Sequence, residues 1–353
     1  MRRGLMRYLA CPACAGDLEL AARAADADWI AEGSLQCSGC RAGYPIRAGV
    51  PRFPVSGEAA VAAATARTRR TYDFTWRRVG PREIANAWEK DSYQYARLIP
   101  SALMTGAGKV GLEAGCGGGA DLRRIAQGGA ELIGIDLSVG AEQAARACRD
   151  LPNVHVVQAD IHRLPFRPDT FDFVYSFGVL HHLPDPAAGM ARLTRLLKPG
   201  GSFITYLYED FGDRSQLARA ILQAIRGVRV LTSRLPAGLL YALCWLAAPL
   251  VWLCCSLPAA LLRPVAPRLA EQFPFRHTLR WPVLASDLFD RFAPPIERRY
   301  SPEGVRALYR AAGCERVDIH RCRGWVSWGV KKQEAVLRLD TPGMLLASAG
   351  ESS

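Results

Sequence analysis

The sequence predicts an α/β fold: a doubly wound sheet of seven strands, preceded by a small cysteine-bearing ribbon and interrupted by a helical insertion. Three observations predict it. Strand-like and helical apolar segments alternate from 110 to 208 and resume from 301 to 333. Two C-x-x-C pairs lie within 1–55, and an uncharged apolar run lies between 209 and 300. Such alternation is typical of a parallel sheet with helices packed on both faces.

The N-terminal segment carries two knuckles of the kind that bind a metal. Cys11 and Cys14 form one C-x-x-C pair, and Cys37 and Cys40 form the second. Four thiolates suit a closed tetrahedral zinc site, which has a structural role because it leaves no open position for catalysis. The alternative is four unligated cysteines in a segment that is too small to fold on its own core.

The same segment resembles the small zinc-ribbon protein that partners tRNA and release-factor methyltransferases. The tail Tyr44-Pro45-Ile46…Gly49-Val50-Pro51 carries this resemblance beside the four cysteines. The resemblance implies a ribbon fused to the enzyme that it accompanies, with structural Zn²⁺ as its metal.

Residues 110–138 carry the clearest indication of a nucleotide-binding sheet. A buried strand leads into a glycine-rich turn, a helix and a second strand that ends in an acid. Glycines permit the tight turn and let a ligand reach the amides at the helix N-terminus, and the acid lies where a ribose presents its hydroxyls. We therefore expect an adenosine-type cofactor. The parts are strand Val110–Ala114, Gly115, Gly117, Gly119, helix Asp121–Gln127, strand Glu131–Ile135 and Asp136.

The turn leaves two cofactors open, a dinucleotide and S-adenosylmethionine. The dinucleotide turn reads G-x-G-x-x-G, whereas this one reads G-x-G-x-G and follows Glu113 by two residues. This pattern resembles the first motif of class I S-adenosylmethionine-dependent methyltransferases, in which the acid lies near the methionine end of the cofactor. A carboxylate attracts an ammonium and a sulfonium and would repel a pyrophosphate. Cys116 holds a position that is often cysteine in that family, although we prefer to interpret it as a small apolar filler.

The segment FDFVYSFGVLHHLPDP…LLKPGG, between 171 and 201, is the most specific part of the same resemblance. With the first motif it implies a Rossmann-like methyltransferase sheet over Val110–Tyr208 that is completed by Ser301–Lys332. It also implies that Asp160, after the third strand, accepts a hydrogen bond from the adenine amino group. The remaining residues that we expect at the cofactor by this resemblance are Leu137, Ile161 and Phe177.

Tyr72 and Trp76 precede the first strand and have two open interpretations. In related methyltransferases an aromatic segment here folds over the cofactor, which would make both residues a lid. They would otherwise pack a helix against the sheet. Alanine-rich Ser56–Thr68 predicts a linker helix before them, and Tyr93–Met104 predicts a helix after them.

Residues 209–300 form an insertion whose segment 235–262 has no charged side chain. A helix of that length measures about 42 Å and exceeds a bilayer core of about 30 Å. A single crossing conflicts with the fold, since the last two strands must return to the sheet. Pro236, Pro249 and Pro258 predict a broken segment, either a hairpin dipping into one leaflet or an apolar cap in a soluble protein or dimer. Arginines that we expect near anionic headgroups in the first case are Arg226, Arg229, Arg234, Arg263 and Arg268.

The end of the chain completes the sheet and leaves a tail. Ser301–Ala312 predicts a helix that Ser301 caps and Gly313 ends, followed by antiparallel strands Arg316–His320 and Trp325–Val330. The predicted domains are 1–55 for the ribbon, 56–105 for the linker and lid helices, 106–208 for the methyltransferase core, 209–300 for the cap, 301–333 for the end of the sheet and 334–353 for the tail.

The charge and the cysteine content of the chain limit which binding partners and which cellular compartment we expect. A net charge of +12 and a pI near 9.4 favour an anionic partner such as nucleic acid, a phospholipid surface or an acidic substrate, or reflect an arginine-rich composition alone. The first ten residues lack the apolar core of a secretory signal, and eleven cysteines then favour a reducing cytoplasm. We expect a cytoplasmic protein, placed at the inner face of the membrane if the insertion meets lipid.

Three functions remain open at this point. The first is methyl transfer to a lipophilic or biosynthetic small molecule, which the apolar insertion favours; the second is methylation of tRNA or rRNA, which the positive charge and the ribbon favour. The third is a cofactor-binding protein without activity, against which the intact motifs argue. His181 is the candidate base if one is used, with a structural hydrogen-bonding role as the favoured alternative. His277 and Tyr300 are further candidates beside the acceptor.

Overall fold

The computed structural model describes residues 1–26, 29–54, 59–78, 98–270, 273, 275 and 279–333. Its largest feature is a seven-stranded sheet with the order β10-β11-β9-β8-β5-β6-β7. Five neighbouring strands, β5 to β9, are parallel to one another, and β11 runs antiparallel to both of its neighbours, β9 and β10. The predicted doubly wound α/β fold is therefore confirmed. The strands are β5 (Val110–Ala114), β6 (Glu131–Asp136), β7 (Val154–Gln158), β8 (Phe171–Phe177), β9 (Leu197–Leu207), β10 (Cys314–Arg321) and β11 (Trp325–Lys331).

Helices cover both faces of the sheet because the strands are apolar on both. Leu112, Ile133 and Val174 pack on one side in a core that includes Met190 and Tyr309, whereas Leu132 and Phe173 pack on the other. A parallel sheet buried on both faces is stable only between two helical layers. The helices concerned are α2 (Ala120–Ala126), α3 (Gly140–Ala147), α4 (Pro186–Leu196) and α10 (Pro302–Ala311). The predicted cap of the last helix is present, since Ser301 Oγ accepts from Gly304 N at 3.1 Å.

A second, four-stranded antiparallel sheet forms the N-terminal ribbon. Its strands are β1 (Leu18–Asp26), β2 (Trp29–Cys37), β3 (Gly43–Arg47) and β4 (Val50–Pro51), preceded by a 3₁₀ turn at Arg3–Arg7. The ribbon lies against the β7 edge of the large sheet. Phe53 N donates to Gln158 O at 2.9 Å, and Ala10 N donates to Pro165 O at 2.9 Å. The ribbon therefore covers an edge that would otherwise present unpaired backbone groups.

One helix, α1 (Ala59–Arg78), connects the ribbon to the region above the sheet. It continues past the predicted end at Thr68 and carries the aromatic segment on its last two turns. Residues 93–97 of the predicted helix Tyr93–Met104, the tail 334–353 and His277 lie outside the described residues. The described part of that helix prediction is not one α-helix, because Pro100 precedes a 3₁₀ turn at Ser101–Leu103.

The insertion folds into a helical cap. Its members are α5 (Gln216–Thr232), α6 (Ala237–Val251), a π-helical turn at Trp252–Ser256, α7 (Leu257–Leu262), α8 (Pro267–Ala270) and α9 (Trp281–Phe292). The prediction that prolines break the apolar segment is wrong, because residues Ala237–Leu262 form one helix. Pro249 lies inside α6, and Pro258 opens α7 directly after the π turn. A π turn shifts the hydrogen-bond register by one residue, which lets the chain continue where prolines remove donors.

The apolar helix buries one narrow face and exposes the rest. Leu240, Cys244 and Ala248 pack against Leu284 and Phe289 of α9. The apolar sequence of the cap predicts that five further leucines are among its apolar contacts, but in the structure these leucines face outward, so that prediction is wrong. We call them the outer leucine face: Leu239 is 50% exposed, Leu243 43%, Leu246 77%, Leu250 64% and Leu253 57%.

Candidate cofactor and acceptor site

The glycine-rich turn lies at the carboxyl end of β5, where doubly wound sheets bind their ligands. Gly115 and Gly117 have φ angles of +87° and +48°, which residues other than glycine rarely adopt. Gly115 N and Cys116 N both donate to Ile135 O, at 2.8 and 2.9 Å, and so fix the turn to β6. A Cβ atom at Gly117 would collide with the Trp76 indole. Gly119, at φ +84°, caps the helix α2.

Asp136 is held beside this turn by three hydrogen bonds. Its Oδ2 accepts from Gly117 N at 2.9 Å, and its Oδ1 accepts from Ser138 N and Oγ at 2.7 and 2.6 Å. Burial nevertheless raises the pKa of this carboxyl above its ordinary value. Each carboxylate oxygen retains acceptor capacity, so the arrangement suits hydroxyl donors such as those of a ribose.

Glu113 is a buried carboxyl whose one hydrogen bond within the described residues comes from Tyr175 Oη, which donates to its Oε2 at 3.0 Å. Desolvation, and then the charge of Asp121, raise the pKa of Glu113 well above the usual range. A buried acid of this kind is stabilised in its charged form by a nearby cation. The position therefore fits the ammonium or sulfonium end of a ligand.

A third buried acid lies at the end of β7. Asp160 Oδ1 accepts from His162 N at 2.9 Å and pairs with His162 Nδ1 at 2.8 Å, and Ile161 beside it is buried. Gln158 Nε2 donates to the carbonyl of Leu137 at 3.1 Å, which ties β7 to the end of β6. The sheet thus brings Glu113, Asp136 and Asp160 to the carboxyl ends of three neighbouring strands.

Phe177 and Cys116 are two other residues predicted at the cofactor, and their surroundings differ from those of the three acids. Phe177 ends β8 and its ring lies 5.4 Å from that of Tyr175. Cys116 is buried against Gly134, where a Cβ would approach its Sγ to 2.9 Å. Burial raises the pKa of the Cys116 thiol, which keeps it protonated. Its environment is that of the small apolar filler that we preferred.

The aromatic segment of α1 spans the site. Trp76 is 7% exposed and lies on Gly117 and Gly118, while Asp73 Oδ1 accepts from Val139 N at 2.8 Å. Tyr72, one turn earlier, has its ring 5.9 Å from that of His182. The two interpretations of this aromatic segment, a lid and a packing contact, therefore describe the same residues. They cover the glycine-rich turn and also pack α1 against the sheet.

His181 and His182 follow β8 and lie on the far side of the site from the ribbon. His181 is fully buried, its ring is 3.8 Å from that of Tyr208, and within the described chain neither ring nitrogen has a hydrogen-bond partner. Desolvation holds the pKa of His181 well below its ordinary value, so the imidazole is neutral. His182 pairs through Nδ1 with Ile296 O at 2.6 Å. The hydrogen-bonding role that the sequence favoured for His181 belongs instead to its neighbour.

The sequence reasoning missed a group of polar residues that surrounds these histidines. Glu297 pairs with Arg229 at 2.9 Å and with Arg299 at 2.8 Å, and all three side chains are at most 10% exposed. Arg229 therefore does not face a headgroup surface, contrary to expectation. Tyr300 N donates to Tyr208 O at 2.9 Å, which adds the end of the insertion to the sheet. No motif marks these residues, because they lie on or beside the insertion.

The four cysteines of the ribbon meet in one cluster. Cys11 and Cys40 have their Sγ atoms 3.6 Å apart, those of Cys14 and Cys37 are 3.4 Å apart, and all four lie within 4.8 Å of one another. Four thiols at such distances surround a single point. The predicted convergence of the two knuckles is confirmed.

Comparison with known families agrees with this geometry. Residues 112–205 match the family model described as "Methyltransferase domain". Residues 2–49 match the model described as "Trm112p-like protein", which adds the ribbon to that domain in one chain. Both resemblances stated from the sequence are thereby confirmed.

Individual relatives cover only part of the molecule. The chain is 36% identical over 135 residues to a ubiquinone biosynthesis O-methyltransferase of Methylococcus capsulatus, covering 37% of this chain and 54% of that one. It is 33% identical over 139 residues to a tRNA U34 carboxymethyltransferase of Citrifermentans bemidjiense, covering 38% and 42%. A solved complex of the Haloferax volcanii Trm112 methyltransferase activator matches with 17% identity and a TM-score of 0.46, over 76% of this chain and 99% of that one. The chain spans a third to about half of the length of the curated relatives it matches.

Proposed function

We propose that the chain transfers a methyl group from S-adenosylmethionine to a lipophilic or biosynthetic small molecule. The observation that carries the proposal is the row of buried acids at the ends of β5, β6 and β7. Glu113 suits the ammonium and sulfonium end, Asp136 the ribose hydroxyls and Asp160 the adenine amino group. When bound, the cofactor supplies an activated methyl group for in-line displacement. The protein then has to orient the acceptor and exclude water, and Trp76 and Tyr72 are positioned to do so.

The other predicted residues complete this proposal. Gly115, Cys116, Gly117 and Gly119 form the wall under the cofactor, with Leu137, Ile161 and Phe177 around its adenosine. His181, the candidate base, lies on the acceptor side, where a neutral imidazole with no hydrogen-bond partner among the described residues is able to accept a hydrogen bond from the acceptor.

We also propose that the cysteine cluster holds one structural zinc ion. Cys11, Cys14, Cys37 and Cys40 supply the four thiolates of a closed tetrahedral site. The ion would hold the ribbon in the shape that covers the β7 edge. Its chemistry is therefore separate from methyl transfer.

The properties of the cap favour a lipophilic acceptor that reaches the site from a membrane surface. Helix Ala237–Leu262 is long and apolar enough to cross a membrane by length and composition, and only 17% of its apolar 18-residue window is buried. Because the chain packs this helix on α9 and later returns to β10 and β11, we propose that it lies in the plane of the cytoplasmic leaflet. Arg226, Arg234 and Arg268 are exposed at its flanks and complement anionic headgroups.

Methylation of tRNA or rRNA is the second candidate. The net charge of +12 favours it, as does the resemblance to a tRNA-modifying relative over 38% of this chain. The outer leucine face disfavours it, since the charged phosphate backbone that dominates RNA binding does not cover an aliphatic surface.

One experiment separates the two candidates. Purified protein and S-adenosylmethionine with a labelled methyl group are incubated with the lipid extract and, separately, with the RNA of the same cells. We expect label in an organic-soluble product and none in RNA. Label confined to RNA would establish the second candidate, and the absence of label in both with no cofactor binding would contradict methyl transfer altogether.

A further inference from the structure

The acid that follows β7 is bound by a buried histidine two residues later in the chain. Asp160 Oδ1 accepts from the backbone N of His162 at 2.9 Å and pairs with Nδ1 of its ring at 2.8 Å. The side chains of Asp160 and His162 are 2% and 4% exposed. A carboxylate only accepts hydrogen bonds, so Nδ1 carries the hydrogen and donates it. His162 thus supplies both a backbone and a ring donor to the same oxygen.

These hydrogen bonds fix the orientation of the Asp160 carboxyl group. The last torsion of an aspartate side chain has broad energy minima, so the side chain itself does not set the plane of its carboxyl group. Donors that approach one oxygen from the backbone and from the ring of His162 restrict rotation about the Cβ–Cγ bond of Asp160. Because a carboxylate has about four acceptor positions, the group keeps the capacity to accept from a ligand.

The loop that carries His162 is itself anchored on both sides. Arg192 Nη1, on α4, donates to the His162 carbonyl at 3.2 Å. Arg163 N donates to the Asp160 carbonyl at 2.8 Å, and Arg163 Nε donates to the carbonyl of Pro12, in the first cysteine knuckle, at 3.3 Å. The backbone around the ring is therefore held both by the helical layer of the sheet and by the ribbon.

The second ring nitrogen of His162, Nε2, is buried and has no hydrogen-bond partner within the described chain. An unsatisfied buried nitrogen costs free energy, and most such groups in proteins are paired. An apolar side chain would fill the same space without that cost. Stability alone therefore does not account for a histidine at this position. The hydrogen bond that its ring does make leads to the acid that we assign to adenine.

We propose that His162 is a positioning residue for recognition of the adenine base, because it orients the Asp160 carboxylate toward the exocyclic amino group of the cofactor. This inference rests on the methyltransferase function and on the assignment of Asp160 proposed above. An amino group donates to a fixed carboxylate, whereas an oxo group at the same ring carbon would place acceptor against acceptor. A site built to hydrogen-bond a donor of its ligand discriminates against an analogue that lacks it. His162 therefore sets the preference for adenine over hypoxanthine.

The test compares the binding of two ligands to the whole chain by calorimetry. They are S-adenosylhomocysteine and S-inosylhomocysteine, in which an oxo group replaces the adenine amino group. The wild-type protein should prefer the first by about ten- to a hundredfold, the effect of one hydrogen bond to a charged group. His162→Gln carries its amide nitrogen at the place of Nε2 and loses the donor to Asp160. It should bind S-adenosylhomocysteine about tenfold more weakly and S-inosylhomocysteine within about twofold of wild type.

His162→Asn is the conservative rescue. The amide nitrogen of asparagine lies at the place of Nδ1, so it restores the donor to Asp160 although the side chain is smaller than glutamine. Its preference between the two ligands should return to within about threefold of the wild-type value. His155→Asn is the matched control, because it removes another hydrogen bond between a buried histidine and a carboxylate, that of His155 Nε2 with Glu131 Oε1 at 3.0 Å. It should leave the preference unchanged.

The outcomes separate the two levels of inference. If the wild-type protein binds neither ligand, the proposed function fails. If it binds both equally well, the assignment of Asp160 to adenine fails, and the inference about His162 with it. If the wild-type protein prefers S-adenosylhomocysteine and His162→Gln keeps that preference, only the role of His162 is refuted. Equal losses for both ligands in His162→Gln and His162→Asn, with lower thermal stability, would likewise refute it in favour of a purely structural role.

Discussion

Replacing Leu246 and Leu250 by serine tests whether the outer leucine face meets lipid. Leu246 is 77% and Leu250 is 64% exposed, so together they present more than one whole leucine side chain to solvent. Burying a leucine side chain contributes about 1.5–3 kcal/mol. We therefore expect the double substitution to weaken vesicle binding by about 2–4 kcal/mol, which is about 30- to 700-fold in the partition constant. Folding should be unaffected, since neither side chain is part of the core.

The measurement is flotation with anionic phospholipid vesicles at low salt. Leu98→Ser is the control, because Leu98 is 38% exposed and lies outside the cap. The wild-type protein and the control should float, and the double variant should stay in the soluble fraction. If the wild-type protein remains soluble and monomeric under these conditions, or if the double variant floats equally well, the membrane proposal is refuted. The cap would then be a lid for a soluble acceptor.

Three further substitutions test other parts of the molecule. Asp136→Ala should weaken S-adenosylmethionine binding by about 1.5–3 kcal/mol, or roughly ten- to a hundredfold, because it removes a charged acceptor and leaves the Gly117 amide without its partner. Unchanged affinity in calorimetry would contradict the assignment of Asp136 to the ribose. Cys37→Ser should abolish stoichiometric zinc by metal analysis and unfold the ribbon, whereas full zinc occupancy in this variant would exclude the four-thiolate site. Glu297→Gln removes the carboxylate that pairs with two buried guanidinium groups, and it should lower the free energy of unfolding by about 3–5 kcal/mol in urea titrations. Exposed Glu303→Gln is the control, and equal stability of the two variants would mean that the ion pairs contribute little.

The sheet was predictable from the sequence because its signals are local. Gly117 is followed by a helix and preceded by a strand, and the acid Asp136 comes at the end of the next strand. Such spacings fix backbone geometry without reference to distant residues. The cysteine cluster was predictable for the same reason, since each pair needs only one tight turn.

The cap was predicted less well because its signals are not local. A helix that is apolar on every side carries no amphipathic pattern, so its sequence does not tell which leucines are buried. In the structure, α9 packs on Leu240 and Cys244 and so buries that face of the helix, while Leu246 faces outward. Arg229 was misassigned in the same way, since its partner Glu297 lies 68 residues further along the chain.

The structure also connects the cap to the cofactor turn through a single helix. Trp76 lies on Gly117, and Phe74 of the same helix packs between Tyr241 and Phe289 of the cap, at 5.8 and 5.2 Å. Tyr241 belongs to α6, the helix that carries the outer leucine face. The proposed lipid surface and the proposed cofactor pocket are thus joined by continuous side-chain contacts. We therefore expect an apolar acceptor that enters beside α6 to reach the ends of β8 and β9 without crossing water, as methyl transfer to a lipophilic acceptor would require.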